Sequence, residues 1–441
     1  MTKARIRMPF MIAIVVLVGL LVACSQTSTQ QNEVDEDEVS LEPVTIKMWH
    51  WMEEEQFNEY YKTPVEEKFE HITFELVSGG PDVDVIEELL MAGEYPDIIW
   101  GGAPWQLQLS ADYDLTADMT EMIEQTGYSY SHLDQSGIQD VSNFFRPNEF
   151  NALPYLVPRM VLHYNKDIFD QFGVEYPVND MTWEEVIDLA AKVTGERDGV
   201  HYYGIGFNEN SFAGMTLGDL MLDPETHEPV IANSENWRRT LQAIDEIYSI
   251  PGNLPPELNE GDSFGHGDYF NNQQTLAMEA NWFKGWLVNV EGLNWDVVTY
   301  PVWEDLQSQA PLTGSQWLGV AKTSEHPEEA FNVLTYLLSE ERLQLEYTGS
   351  ADILNIPLSD YDIITQIEPH PDLEGVDYMS GFLHELVPSP NQISEYEGII
   401  GRLPDSQIPK HIIFSDQDVV TAIQRIEEWA SLQVQEATGR K

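Results

Sequence analysis

Between Val44 and Gly102 the chain switches repeatedly between two hydrophobic periods, and that switching restricts the folds open to it. Val44-Thr45-Ile46-Lys47-Met48-Trp49 alternates as a strand does. From about Glu53 to Phe69 the apolar residues Phe57, Tyr60, Tyr61, Val65 and Phe69 recur at spacings of three and four, which predicts a helix. Ile72-Thr73-Phe74-Glu75-Leu76-Val77 is a second β-rich run. Val83 to Met91 reads as another helix, and Pro96-Asp97-Ile98-Ile99-Trp100 as a short buried strand ending at Gly101-Gly102. Strand, helix, strand, helix, strand implies a parallel sheet covered by helices, hence an α/β fold. In such sheets ligands bind at the carboxyl ends of the strands, where the loops gather. Trp49 to Trp51 and Trp100 to Trp105 sit at two such ends.

The same grammar continues. Val161 to Phe169 reads as a strand running into a helix. Thr182, with Glu185 three residues on, forms a capping-box pattern that opens a helix to about Val193. Tyr203–Phe207, Thr275–Glu279 and Trp295–Pro301 are strand-like, whereas Trp237–Ile250, Glu325–Leu338 and Gln417–Glu436 read as helices.

The first 23 residues have a different character. Lys3, Arg5 and Arg7 precede an uncharged apolar run from Met8 to Val22. At about 15 residues this run suits an export signal and falls short of the ~20 that span a bilayer. Leu21-Val22-Ala23-Cys24 resembles a bacterial lipobox, whose cysteine is lipid-modified on sulfur after cleavage. Cys24 is the only cysteine in the chain, so no internal disulfide can form. The other reading is an uncleaved membrane anchor. Residues 24–43 are polar and acidic and are expected to form a disordered tether.

The charge is extreme: 21 Lys and Arg against 76 Asp and Glu, a net of −55. Removing residues 1–23 takes away three bases and no acid. Such a field repels nucleic acid and anionic lipid surfaces. It is consistent with a salty or alkaline exterior, or with steering a cationic ligand.

Across residues 44–441 the chain is similar to the extracellular solute-binding proteins of ABC importers, the large sugar-type family. The residues that carry the resemblance run in the family's order. They are Val44–Trp49, Pro96–Ile99, Leu115-Thr116, Leu153-Pro154-Tyr155, Tyr164-Asn165-Lys166-Asp167-Ile168-Phe169, Phe172-Gly173-Val174 and Thr182-Trp183-Glu184-Glu185. Leu276-Ala277-Met278, Gly314-Ser315, Gly319-Val320-Ala321 and Thr323–Ala330 complete them. The chain departs from the pattern at Asn272-Gln273-Gln274, which replaces a Gly-Lys, and matches only loosely over 352–416. The resemblance implies a two-lobed periplasmic-binding-protein-like fold (type II), with lobes joined by crossing hinge segments. It places the crossings near Tyr155–Val161, Val298–Pro301 and Gly349–Pro357. One lobe would be 44–155 plus 302–348, the other 162–297 plus 358–441. It also implies a ligand clamped between closing lobes, and ABC importer permease subunits as partners of a monomeric, lipid-anchored protein.

Twelve tryptophans and nineteen tyrosines supply rings that stack on sugar faces or attract cations. The candidate ligand-binding residues are Trp49, Trp51, Trp100, Trp105, Tyr155, Trp282, Trp286 and Trp317, with Asp82 and Arg159. His50, Glu53, Gln106, Asn281, Lys284 and Gln316 are further polar partners near the same loops, and Arg159 and Lys284 could hold an anionic group. Trp183, Trp237, Trp303 and Trp429 are assigned to packing. No nucleophile elbow, phosphate loop or calcium loop is present, and His384-Glu385 lacks the second histidine of a zinc helix. No catalysis, cofactor or metal is expected. The ligand expected is a mono- or oligosaccharide, with a polyamine or other cation, or a uronate oligomer, as alternatives. A secreted polysaccharide-degrading enzyme is the competing class, because 76 acids offer any carboxylate pair. A chemoreceptor or adhesion protein of the same fold is a third.

Overall fold

The computed structural model describes residues 42–79, 85–86, 89, 91, 95–102, 104–207, 214–256, 267–312, 314–387, 390, 393–401 and 403–439. Residues 43–441 form one compact unit. The expected signal and tether, with Cys24, lie outside the described residues.

Twelve strands are described: β1 Val44–His50, β2 Ile72–Ser78, β3 Ile98–Gly101, β4 Leu153–Leu156, β5 Met160–Asn165, β6 Gly195–Arg197, β7 Val200–Gly206, β8 Leu276–Trp282, β9 Trp295–Thr299, β10 Gln309–Ala310, β11 Gln316–Val320 and β12 Glu385–Leu386. They make two five-stranded sheets, ordered β2-β1-β3-β11-β4 and β6-β7-β8-β5-β9, and a two-stranded ladder of β10 with β12. In the first sheet β1 runs parallel to β2 and β3, as the alternation of periods predicts. β11 arrives later in sequence and enters antiparallel between β3 and β4. In the second sheet β7 and β8 are parallel, while β5 runs antiparallel to both of its neighbours, β8 and β9.

The first predicted helix is real but irregular. Glu54–Phe57 and Thr63–Lys68 are α-helical, and Asn58–Lys62 between them is a π-turn. Pro64 explains the irregularity: it has no N–H to give to the carbonyl four residues back, on Tyr60. The Arg342 guanidinium donates to that carbonyl instead, at 2.5 Å. Phe57, Tyr61 and Val65 face the core, and Tyr60 is turned outward. Of the predicted helix Val83–Met91, residues 85, 86, 89 and 91 are helical and the rest lie outside the described residues. The capping box is present: Thr182 accepts from the Glu185 N–H and Glu185 accepts from the Thr182 N–H.

The chain passes from one sheet to the other between β4 and β5, and two more segments run beside that passage. The Val157 N–H donates to the Asn355 carbonyl, and the Asp134 N–H to the Pro357 carbonyl. Val157 also packs with Ala310, Leu312 and Leu386 in a small separate cluster. Residues 357–359 are therefore tied to 132–134, beside the first sheet. By Asp377, whose N–H donates to the Asp296 carboxylate, the chain has reached the second sheet.

Candidate functional site

Strand periodicity decides which aromatic residues of the first sheet can meet a ligand. Successive side chains point to opposite faces. Trp49 and Trp317 share one face with Ile99 and are fully buried in a cluster with Leu107, Leu115 and Val141. Trp317 lies across Gly101, where a Cβ would come within 2.4 Å of its ring, so that glycine is required by the packing. These two candidates are corrected by the structure: their indoles are core residues on the face away from His50 and Trp100.

The opposite face carries an aromatic ladder at the ends of β1 and β3. The His50 ring lies 4.6 Å from Trp100, 5.8 Å from Trp51 and 5.5 Å from Tyr61, centroid to centroid. Trp51 and Trp100 are 6.0 Å apart. Trp51 is 61% exposed, whereas Trp100 is buried and its indole N–H has no acceptor among the described residues. A groove of about 610 Å³ flanks this loop, lined by Met52, Glu53, Glu54, Asn58, Lys62 and Ser78 among others. Lys62 is not free there, since its ammonium bonds Glu66 and the Phe74 carbonyl, both at 2.7 Å. His50 accepts the Met52 N–H on Nδ1, and burial lowers its pKa to about 4. It is therefore an uncharged ring at neutral pH.

Behind the ladder stands a buried polar chain that the sequence did not announce. The Tyr61 and Tyr155 hydroxyls meet at 2.5 Å, and Tyr155 donates to Glu346 in a very short bond. Arg342 closes the chain 3.2 Å from Glu346. Burial raises the Glu346 carboxyl, and Arg342 opposes the shift. Tyr155 is thus a strut between β4 and the helix Glu340–Tyr347, with its hydroxyl already engaged.

The second group surrounds the turn after β8. Trp286 is 46% exposed, with the Lys284 ammonium 5.8 Å from its ring centroid. That ammonium is held by both oxygens of Glu279 at 2.7 Å, and Asn281 donates to the same carboxylate at 2.8 Å. The Lys284 N–H donates to His163 Nε2, so His163 carries its proton on Nδ1, facing the Glu279 carbonyl. Burial, with Lys284 nearby, depresses His163 to about 3. Gly285 is pressed against residue 351: a Cβ there would lie 2.1 Å from the Ala351 carbonyl oxygen. Trp282 is half-buried against the second core.

Arg159 is placed otherwise than an anion-binding residue would be. It bonds Asp134 at 3.0 Å and lies 4.4 Å from the Phe382 ring, almost wholly buried. Gln106 accepts the Gly102 N–H, Gln316 is half-buried at the start of β11, and Glu53 is exposed. Trp105 falls in the helix Pro104–Asp112; its side chain and all of Asp82 lie outside the described residues. Trp183, Trp237 and Trp303 are buried, and Trp429 packs against the second core. The sequence reading missed Tyr61, Glu346 and Glu279. Only Glu279 gave a signal, as a carboxylate inside an otherwise apolar strand.

Comparison with solved structures shows the fold. A sugar-binding protein, MalE, from the phytopathogen Xanthomonas citri matches with a TM-score of 0.67 at 17% identity, over 90% of this chain and 98% of that one. An ABC substrate-binding protein from Listeria monocytogenes in complex with cycloalternan matches with a TM-score of 0.64 at 19% identity, over 89% and 98%. UgpB from Mycobacterium tuberculosis in complex with glycerophosphocholine matches with a TM-score of 0.65 at 13% identity, over 89% and 99%. The two sheets thus correspond to the two-lobed fold of periplasmic binding proteins. The sequence pattern described as "Bacterial extracellular solute-binding protein", a family that binds solutes outside the cytoplasm, matches residues 60–358. That match takes in strands of both sheets and the turn bearing Trp286, and the chain belongs to the bacterial extracellular solute-binding proteins.

Proposed function

We propose that this protein captures a mono- or oligosaccharide outside the cell, closes its two lobes on it and presents it to the permease subunits of an ABC importer. The observation that carries the sugar reading is the pair of aromatic platforms with exposed indoles, Trp51 on the His50–Trp100 ladder and Trp286 after β8. Flat rings backed by rigid neighbours suit the C–H faces of pyranose rings. The structural relatives, one in complex with cycloalternan and one a sugar-binding protein, support the same class. The proposed lobes are 44–155 plus 302–348 and 162–297 plus 358–441, the last segment leaving the first sheet only after residue 359, with the passage from β4 to β5 as one hinge. A lipid on Cys24, after export directed by residues 1–23, holds the body at the outer face of the membrane.

A cationic ligand such as a polyamine is the second reading, favoured by the net charge of −55 and by the affinity of indole faces for cations. Thermal-shift screening over neutral sugars, uronates and polyamines separates the two. A tight ligand raises the melting temperature by several degrees through mass action. The sugar reading expects the shift from neutral sugars, and a shift from polyamines alone would replace it. For the anchor, Cys24→Ser should release the protein from membranes or leave its signal uncut; unchanged membrane retention with a cleaved signal would remove the lipid.

A further inference from the structure

β8 is an apolar strand that nevertheless buries a carboxylate completely at Glu279. A buried carboxylate persists only with donors that replace its water. Glu279 has three such bonds, two from Lys284 and one from Asn281. The pairing has a consequence for the ligand. Lys284 stands beside Trp286 and is the cation of this turn, yet two of its three N–H groups are committed to Glu279. Among the described residues, three further basic side chains near the two platforms are likewise engaged or uncharged. Arg159 belongs to Asp134, Lys62 to Glu66, and His50 is an uncharged ring.

Resting on the reading of the turn after β8 as part of the ligand site, we propose that Glu279 sets the charge of ligand this site accepts. By closing an ion pair with Lys284, it leaves the ammonium as a hydrogen-bond donor to hydroxyl groups but withholds it as a counter-ion. Uncharged and cationic ligands are admitted, and carboxylated ones are turned away. The molecule's net charge of −55 acts in the same direction, since an anion approaching it is repelled before contact. Lys284 is then a donor to sugar hydroxyls, and Glu279 a positioning and charge-compensating residue that does not itself touch the ligand.

The test is a glycan array carrying neutral, amino and uronate-bearing oligosaccharides, probed with the full chain and with Glu279→Gln. The wild-type protein is expected to retain neutral or amino glycans and no uronates. Glu279→Gln frees the Lys284 charge and should raise uronate affinity at least tenfold while weakening neutral binding. If Glu279→Gln does not fold, the pair can be replaced together by Glu279→Met with Lys284→Met. That double variant should melt near the wild type, lose neutral-glycan affinity tenfold or more through the missing donor, and still reject uronates. Wild-type retention of uronates as tight as that of neutral glycans would overturn this inference alone. So would an unchanged uronate-to-neutral preference in Glu279→Gln, or an unchanged neutral affinity in the double variant. An array on which the wild type holds nothing removes the sugar reading, and this inference with it.

Discussion

At the scale of single residues, what separates Trp51 and Trp286 from the buried indoles is that both lie just past the end of a strand, off the packed faces of the sheets. Trp49 and His50 are neighbours in sequence, yet one is sealed in a core and the other stacks under an exposed ring. Replacing Trp51 or Trp286 by Ala should weaken ligand binding by roughly 1–3 kcal/mol, the scale of an aromatic anchor. The melting temperature should hardly change, since the two residues are already 61% and 46% exposed. Titration calorimetry beside a melting curve reads both; unchanged affinity in the two variants would move the site elsewhere. His50 makes a second, independent prediction. Its folded pKa of about 4 lies below the usual 6.5 of an unfolded chain, so the unfolded state binds the extra proton. The stability this confers is complete above pH 6.5 and is lost as pH falls towards 4, up to about 3 kcal/mol. His50→Gln should therefore flatten the acid limb of urea midpoints between pH 6.5 and 4 relative to wild type. A limb of unchanged slope would mean that His50 is not desolvated.

At the scale of elements, the helix from Glu54 to Lys68 shows how a local defect is used by distant chain. Pro64 leaves the Tyr60 carbonyl without its helical partner, and Arg342 fills the vacancy while also pairing Glu346. Arg342→Ala would leave the Tyr60 carbonyl without this donor and a buried carboxylate without its cation. The expected cost is roughly 3–5 kcal/mol, read from the urea midpoint. A loss under 1 kcal/mol would show that Glu346 is protonated and needs no cation. Much of the element order could be read from the sequence: β1, β2 and β3 because their alternation or apolar run is local, and the helix after Thr182 because its cap lies within four residues. The Tyr61–Tyr155–Glu346 chain could not be read, since its members lie 94 and 191 positions apart and no local pattern links them. Trp49 and Trp317 were misassigned for a different reason. The strand-end position of Trp49 was legible, but the face that each indole occupies depends on a register that one residue reverses. The Lys284–Glu279 pair spans only five residues, but it depends on the register that buries the Glu279 carboxylate in β8 while the half-buried Lys284 reaches it from the following turn.

At the scale of the whole molecule, a family fold with two sheets is combined with two aromatic platforms and a surface dominated by carboxylates. Ten of the described bases are engaged in ion pairs with Asp or Glu, which leaves the excess acid as an uncompensated field. On the proposed reading, local pairing and global field agree on the ligand: rings to stack on, donors for hydroxyls, and no welcome for negative charge. The proposed function further requires motion. A ligand shifts the open–closed balance only by the difference in its affinity for the two states, so one that touched a single lobe would bind without closing anything. Small-angle X-ray scattering of the protein, with and without a saturating neutral oligosaccharide identified in the thermal-shift screen, measures this directly. Lobe closure predicts a smaller radius of gyration in the wild type on ligand addition. An identical scattering profile with the sugar demonstrably bound would contradict it.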